Sequence, residues 1–313
     1  MTGTIIRIDG RRCLIHYNGK NYRAYIKTKI RGAMLDEARP VAVGDRVNFE
    51  QRPNGDVLIT EVLPRKSWLN RRSVSNINKQ QVIVSNVDQL MIVTSVQDPL
   101  FQPGIIDRFL VSATKGNLEA KIIINKMDLL AISEDKKRIE STLKVYKNLG
   151  YTVLYTSIFD DASIAELKSH LLNKSTVFAG HSGTGKSSLL MAIAPHLKLR
   201  VGEVSEKHGK GRHTTTSIRL MPLGENSFVV DTPGIREFSL WQLDIAEVSH
   251  YFPEMASILS ACKYNDCTHT HEPFCAVKEA WEAGDIANFR YESYCNIIES
   301  IKNPQLDFMA KFD

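Results

Sequence analysis

The pattern of apolar and polar positions divides the chain into three stretches. Over residues 1–65 the two alternate in short runs, which predicts strands at Thr4–Ile8, Cys13–Tyr17, Tyr22–Ile26, Arg46–Gln51 and Val57–Val62. Asp9-Gly10, Asn18-Gly19 and Asn54-Gly55 supply turns between some of them. Five short strands in this length suit a small barrel of the OB type, a fold that commonly binds oligonucleotides, and an SH3-like barrel gives nearly the same pattern. A polar joint, Pro64–Lys79, carries Arg65, Lys66, Arg71 and Arg72 and marks the first domain boundary.

From residue 80 the period changes. Apolar runs at Gln89–Val96, Ala120–Asn125, Thr152–Thr156 and Thr176–Ala179 alternate with helical patterns at Pro103–Lys115, Lys136–Leu149, Ile164–Leu172 and from Lys186 onward. Such alternation predicts a parallel sheet covered on both faces. Ile218–Leu223 and Ser227–Asp231 add two strands joined as a hairpin, and beyond about Ser239 the chain reads as mostly helical. The expected domains are 1–72, a basic barrel that binds RNA; 73–239, an α/β domain; and 240–313, a helical domain.

Composition narrows the class. The 313 residues are 43% hydrophobic and 24% charged, the balance of a folded globular chain rather than a disordered one. No apolar run is long enough to span a membrane, and the opening MTGTIIRIDGRR lacks a signal-peptide core, which predicts a cytoplasmic protein. The net charge of +5 is uneven: residues 1–72 hold 15 lysines and arginines against 7 acids, while the remainder is mildly acidic. A basic segment of this kind suits nucleic acid; a solvated face with no partner is the alternative.

The chemistry concentrates in a few motifs. Gly180-His181-Ser182-Gly183-Thr184-Gly185-Lys186-Ser187, followed by Ser188, fits G-x-x-x-x-G-K-[ST] between a predicted strand and helix. Its backbone N–H groups would cradle phosphates at a helix N-terminus, Lys186 would reach the β- and γ-phosphates, and the Ser187 hydroxyl would ligate Mg²⁺. Asn125-Lys126-Met127-Asp128, at a strand's carboxyl end, points to guanine. There the Asp128 carboxylate would accept from the ring N1–H and the exocyclic amine, Asn125 would bond the base and hold neighbouring loops, and the Lys126 stem would pack over the ring. Thr156-Ser157 ends the next strand and would cover the base. Asp231-Thr232-Pro233-Gly234 would hold Mg²⁺ through Asp231 and sense the γ-phosphate through Gly234, although an ordinary strand-ending turn reads the same way. Thr214-Thr215-Thr216 suits a loop whose Thr215 hydroxyl completes the Mg²⁺ shell.

The order of these motifs is unusual. The N-K-x-D element and the Ser157 loop precede the P-loop, the triple threonine and D-T-P-G, whereas an ordinary small GTPase starts with the P-loop. The cycle is intact but cut between its third and fourth elements, as in a circular permutation. Five cysteines include three, Cys262, Cys267 and Cys275, which with His269 make a Cys-x4-Cys-x-His-x5-Cys set suited to one structural zinc ion. His271 is a competing ligand, and a cluster of reduced buried thiols is the alternative to a metal.

With these residues together, the chain resembles the circularly permuted GTPases of small-ribosomal-subunit assembly, the ribosome small subunit-dependent GTPase A family. The resemblance runs essentially full length and includes the switch-like stretch Gly211-Arg212-His213-Thr214-Thr215-Thr216. It implies a GTPase core between an OB-like barrel and a zinc domain. It further implies GTP hydrolysis stimulated by the 30S subunit during late 16S rRNA maturation, with release of other assembly factors. One departure is Thr156-Ser157-Ile158, where Ser-Ala is more usual. Ile235 follows D-T-P-G where many GTPases carry a water-orienting glutamine, so a low intrinsic rate is expected and His213 is the candidate to position water. A monomer is expected. Two rivals stand beside this reading: a GTP-switched RNA-binding regulator with incidental hydrolysis, and an adenine-nucleotide kinase, which Asp128 argues against.

Overall fold

The computed structural model describes residues 1–10, 12–31, 40–52, 57–72, 80–132, 135–195, 218–224, 226–231 and 243–303. The first five strands, β1 (Thr2–Asp9), β2 (Arg12–Tyr17), β3 (Lys20–Arg31), β4 (Arg46–Gln51) and β5 (Val57–Val62), close on themselves in the order β1-β2-β3-β5-β4-β1. The β3–β5 pairing is parallel and the others are antiparallel. This closed five-stranded barrel settles the architecture as OB-like. Alternate positions point inward, so Ile5, Ile15, Ala24, Val47, Phe49, Val57 and Ile59 form one buried core.

The stretch read as a polar joint contains a strand. β6 (Trp68–Arg72) pairs antiparallel with β7 (Gln80–Ser85), and the Trp68 amide donates to Gly116 O at 2.9 Å. A side chain at position 116 would place its Cβ 1.9 Å from Trp68 O, so only glycine permits the contact. The barrel is also pinned to the rest by Asp45. Its fully buried carboxylate accepts from the Arg65 guanidinium at 2.7 and 3.0 Å, from the Ser85 hydroxyl at 2.6 Å and from the Ala42 amide at 2.7 Å.

The central sheet runs β10 (Thr152–Tyr155), β9 (Glu119–Asn125), β8 (Gln89–Ser95), β11 (Ser175–Ala179), β13 (Ser227–Asp231) and β12 (Arg219–Gly224). The first five are parallel and β12 runs antiparallel, paired with β13 as the expected hairpin. β12 also meets β1 through Arg219 opposite Arg7. Every residue of β8 is buried, because side chains of alternating sense enter two separate cores. Leu90 and Ile92 face α1 (Pro103–Lys115) and α2 (Lys136–Asn148) through Ile106, Phe109, Leu110 and Leu143. Met91 and Val93 face α3 (Asp161–Ser169) and α4 (Lys186–Ile193) through Leu167, Leu189 and Ile193.

The C-terminal part consists of short helices α5 (Ile245–Val248), α6 (Pro253–Ala256) and α7 (Ala276–Glu282), then the longer α8 (Asn288–Lys302). Phe252, Met255, Val277, Tyr294, Ile297 and Ile298 make its core, which also takes in Val111 of α1. No helix among the described residues is long and apolar enough to cross a membrane.

Candidate functional site

The chain leaves β8 for β9 and β10 on one side, then returns to β11 on the other, so strand order reverses between β8 and β11. A crevice at the carboxyl ends of the strands is where ligands bind in such sheets, and residues 180–188, Asn125–Asp128 and Ser157 stand at that end. Residues 180–187 bridge β11 and the start of α4. Gly180 and Gly185 take φ of +144° and +90°. The loop therefore turns without clashing: a Cβ at Gly180 would lie 2.0 Å from Val93 O, and one at Gly185 2.2 Å from the Asn125 side chain. No side chain caps α4, so its first amides face the loop. Lys186 Nζ donates to Gly180 O at 2.7 Å and to His181 O at 2.6 Å, lying back along the loop. Ser187 is exposed and Ser188 half-buried at the start of the helix.

Asn125, at the end of β9, is buried and ties three loops together. Its Nδ2 donates to Thr184 O at 2.8 Å, and its Oδ1 accepts from the Thr156 hydroxyl at 3.0 Å. The Met127 amide donates to Thr156 O at 3.1 Å. Asp128 stands exposed beyond them, in the 3₁₀ turn Met127–Ile132, and its Oδ1 accepts from the Ser157 hydroxyl at 2.6 Å. Ser157 is thus brought directly against Asp128, and Asn125 and Thr184 join that pair to the P-loop.

One wall of the crevice went unnoticed in the motif reading. The loop after β8, residues 96–102, sits between the P-loop and Lys126: Lys126 Nζ donates to Asp98 O, and the Ser95 hydroxyl donates to Pro99 O at 2.8 Å. Pro99 Cδ also lies 3.4 Å from where a Gly183 Cβ would stand. No short motif marks it; its signal was positional, a loop at the carboxyl end of the strand beside the switch point. Asp231 ends β13 opposite Arg219, at this edge of the sheet. His213, Thr215 and Gly234 lie outside the described residues.

The cysteine cluster assembles as predicted. One donor atom from each of Cys262, Cys267, His269 and Cys275 lies within 4.8 Å of all the others. His269 Nδ1 is 3.6 Å from Cys262 Sγ and 3.4 Å from Cys275 Sγ. A tetrahedral ion with bonds of ~2.0–2.3 Å keeps its donors roughly 3.5–3.8 Å apart, so three thiols and one imidazole fit a metal ion. Burial pushes the Cys267 thiol up to about 12 and His269 down, so in the absence of a cation the site favours neutral thiol and imidazole, and a thiolate there calls for a bound cation to offset its desolvation. The loop is braced from outside. Tyr291 OH donates to His269 O at 2.8 Å and Tyr294 OH to Thr268 O at 2.7 Å. Glu272 accepts from the Thr268 hydroxyl and amide at 2.6 and 2.8 Å. His271 is exposed and stands apart from the four.

Comparison with known proteins agrees with this geometry. Residues 62–241 match the family model described as RsgA GTPase. The "Small ribosomal subunit biogenesis GTPase RsgA 2" of Bacteroides thetaiotaomicron is 40% identical over 281 residues, covering 88% of this chain and 90% of that protein. The Porphyromonas gingivalis RsgA is 37% identical, covering 96% of both. Among solved structures, YjeQ from Thermotoga maritima superposes with a TM-score of 0.74 at 35% identity, covering 96% of this chain and 98% of that one. YloQ, described as a circularly permuted GTPase, gives 0.70 at 30% identity, covering 97% and 95%. The barrel, the permuted order of nucleotide motifs and the cysteine–histidine cluster coincide with these matches, and the chain belongs to the RsgA family of circularly permuted GTPases.

Proposed function

We propose that this protein hydrolyses GTP on the small ribosomal subunit during late subunit assembly and 16S rRNA maturation, aiding release of assembly factors. The observation that carries the reading is the joined pair of loops at the sheet's carboxyl edge. Ser157 orients Asp128, a carboxylate suited to guanine, and Asn125 fastens that element to the phosphate-type loop through Thr184. The nucleotide would lie across Gly180–Ser188, its base on Asn125–Asp128 and Ser157 and its phosphates on the loop amides and Lys186.

Ser187, Thr215 and Asp231 would hold Mg²⁺. When bound with the nucleotide, that ion neutralises charge developing on the β- and γ-phosphates. Gly234 would sense the γ-phosphate, and His213 would orient the attacking water in place of the glutamine that Ile235 replaces. Cys262, Cys267, His269 and Cys275 would hold one structural zinc ion. The division at residues 72 and 239, the cytoplasmic location and the monomeric state belong to the same reading, with the basic barrel contacting rRNA.

GTP turnover measured at fixed salt, alone and with purified small or large subunits, tests it. Strong stimulation by small subunits only is the expected result. An unchanged rate with intact subunits would overturn the ribosome-dependent reading in favour of a GTP-switched binding protein.

A further inference from the structure

Three of the large hydrophobic side chains exposed among the described residues stand at one edge of the molecule. Leu100 is 63% exposed on the loop after β8, and Ile158 and Phe159 are 44% and 81% exposed on the loop after β10. β9 lies between β8 and β10, so these loops flank the Asn125–Asp128 element that β9 carries. Single exposed apolar residues are ordinary on protein surfaces, whereas a group of them at the mouth of a ligand crevice is a feature of binding sites.

Phe159 is held there rather than left to wander. Residues 157–160 form a tight turn closed by the Asp160 amide donating to Ser157 O at 3.1 Å. The Phe159 amide donates to Ser157 Oγ at 3.2 Å, and that same hydroxyl donates to Asp128 at 2.6 Å. One hydroxyl therefore fixes both the carboxylate that would read the edge of a guanine and the backbone that carries the ring. The turn is anchored below by Ser163, whose hydroxyl accepts from the Ser157 amide at 3.2 Å, and α3 begins at once behind an Asp160 cap. Asp128 retains capacity for the base, because a carboxylate accepts at about four positions and Ser157 uses one.

We infer that Phe159 is a base-stacking residue of the nucleotide site, its ring packing on a face of the guanine whose edge Asp128 reads. This deepens the proposed reading of Asp128 and rests on it. An aromatic face stacks on any purine, so Phe159 contributes affinity without contributing selectivity, while Asp128 contributes selectivity.

Nucleotide titration of the full chain separates the two. Phe159→Ala is expected to weaken GDP about tenfold and inosine diphosphate by the same factor. Phe159→Trp is expected to restore both, with indole emission that changes on GDP addition. Asp128→Asn is expected to weaken GDP and shift preference towards xanthosine diphosphate, whose C2 carbonyl accepts from the new amide. GDP affinity of Phe159→Ala within twofold of the parent, beside an Asp128→Asn variant that has lost its guanine preference, overturns the stacking role and leaves the base site standing. Unequal losses for GDP and inosine diphosphate in Phe159→Ala also overturn it. Unchanged selectivity in Asp128→Asn overturns the reading of the base site itself.

Discussion

Arg290 is the largest side chain buried almost completely in the described protein, and its surroundings explain why an arginine stands there. Burial alone would favour its neutral form, but Asp107 and then Glu254 outweigh that and hold the guanidinium charged. It bonds Asp107 on one side and Glu254 on the other, the latter as a bidentate pair at 2.6 and 3.1 Å, and Tyr146 donates to Asp107 at 2.6 Å. Phe252 lies under the guanidinium at 4.4 Å. Removing one partner of such a set leaves carboxylates buried without a counter-charge, so Arg290→Met is expected to cost about 3–5 kcal/mol in urea unfolding. Adding Asp107→Asn is expected to recover part of that loss. Gly185→Ala is a second residue-scale test. Its φ of +90° and the Asn125 amide 2.2 Å from the new Cβ predict a loss of about 1–2 kcal/mol and a larger loss of GDP affinity, read by unfolding and by titration. The P-loop and the Asn125–Asp128 element were legible in sequence because each is a contiguous run with a local geometry. Asp107, Glu254 and Arg290 were not, since 183 positions separate the bonded Asp107 and Arg290 and only the packing of α1 on α8 brings them together.

At the scale of elements, period carried most of the fold. The strands of the barrel and sheet, the hairpin of β12 and β13 and the alternating helices follow from apolar spacing, since each buries a face of its own. β6 escaped for a physical reason: Trp68–Arg72 is largely polar, and its strand conformation comes from pairing with β7 and from the contact between Trp68 and Gly116. The parallel β3–β5 and the β1–β4 pairings that distinguish an OB barrel from an SH3-like one are likewise non-local. The start of β9 is stitched to the approach of β11 by Glu119, which accepts from Lys174 at 2.6 Å and pairs with Lys121 at 3.2 Å. The hydrogen bond from Lys174 holds its carboxyl below the ordinary value of 4.5, against a smaller opposing effect of burial. A carboxylate lowered in the folded state stabilises above its unfolded pKa and loses that contribution as pH falls through the folded one. Glu119 is half exposed, so solvent screening leaves the pair ~0.5 kcal/mol. Glu119→Gln is expected to lower the urea midpoint slightly at pH 7, with the gap to the parent narrowing once pH falls below 4.5.

Across the whole molecule, the cysteine–histidine cluster and the nucleotide crevice stand in different cores. Cys275 belongs to the C-terminal core with Val277, Tyr291 and Tyr294, and that core reaches the α/β domain through Val111 and the Arg290 network. The crevice rests on the two cores that sandwich the central sheet. A metal held by four ligands contributes its binding energy to folding only where the ligands are ordered, so its removal acts first on the C-terminal helices. Nucleotide acts on the other side, stabilising the folded α/β domain by about 2.7 kcal/mol at a hundredfold excess over its Kd. Chelation is therefore expected to split thermal unfolding into two steps, an early one carrying Trp281 emission and a later one that GDP still raises. The same split is expected for Cys275→Ser without chelator. If GDP no longer raised any transition after metal removal, the C-terminal helices would be holding the crevice together through α1. In that case Arg290→Met would lower GDP affinity as well as stability, and titration of that variant distinguishes a local staple from one that reaches the nucleotide.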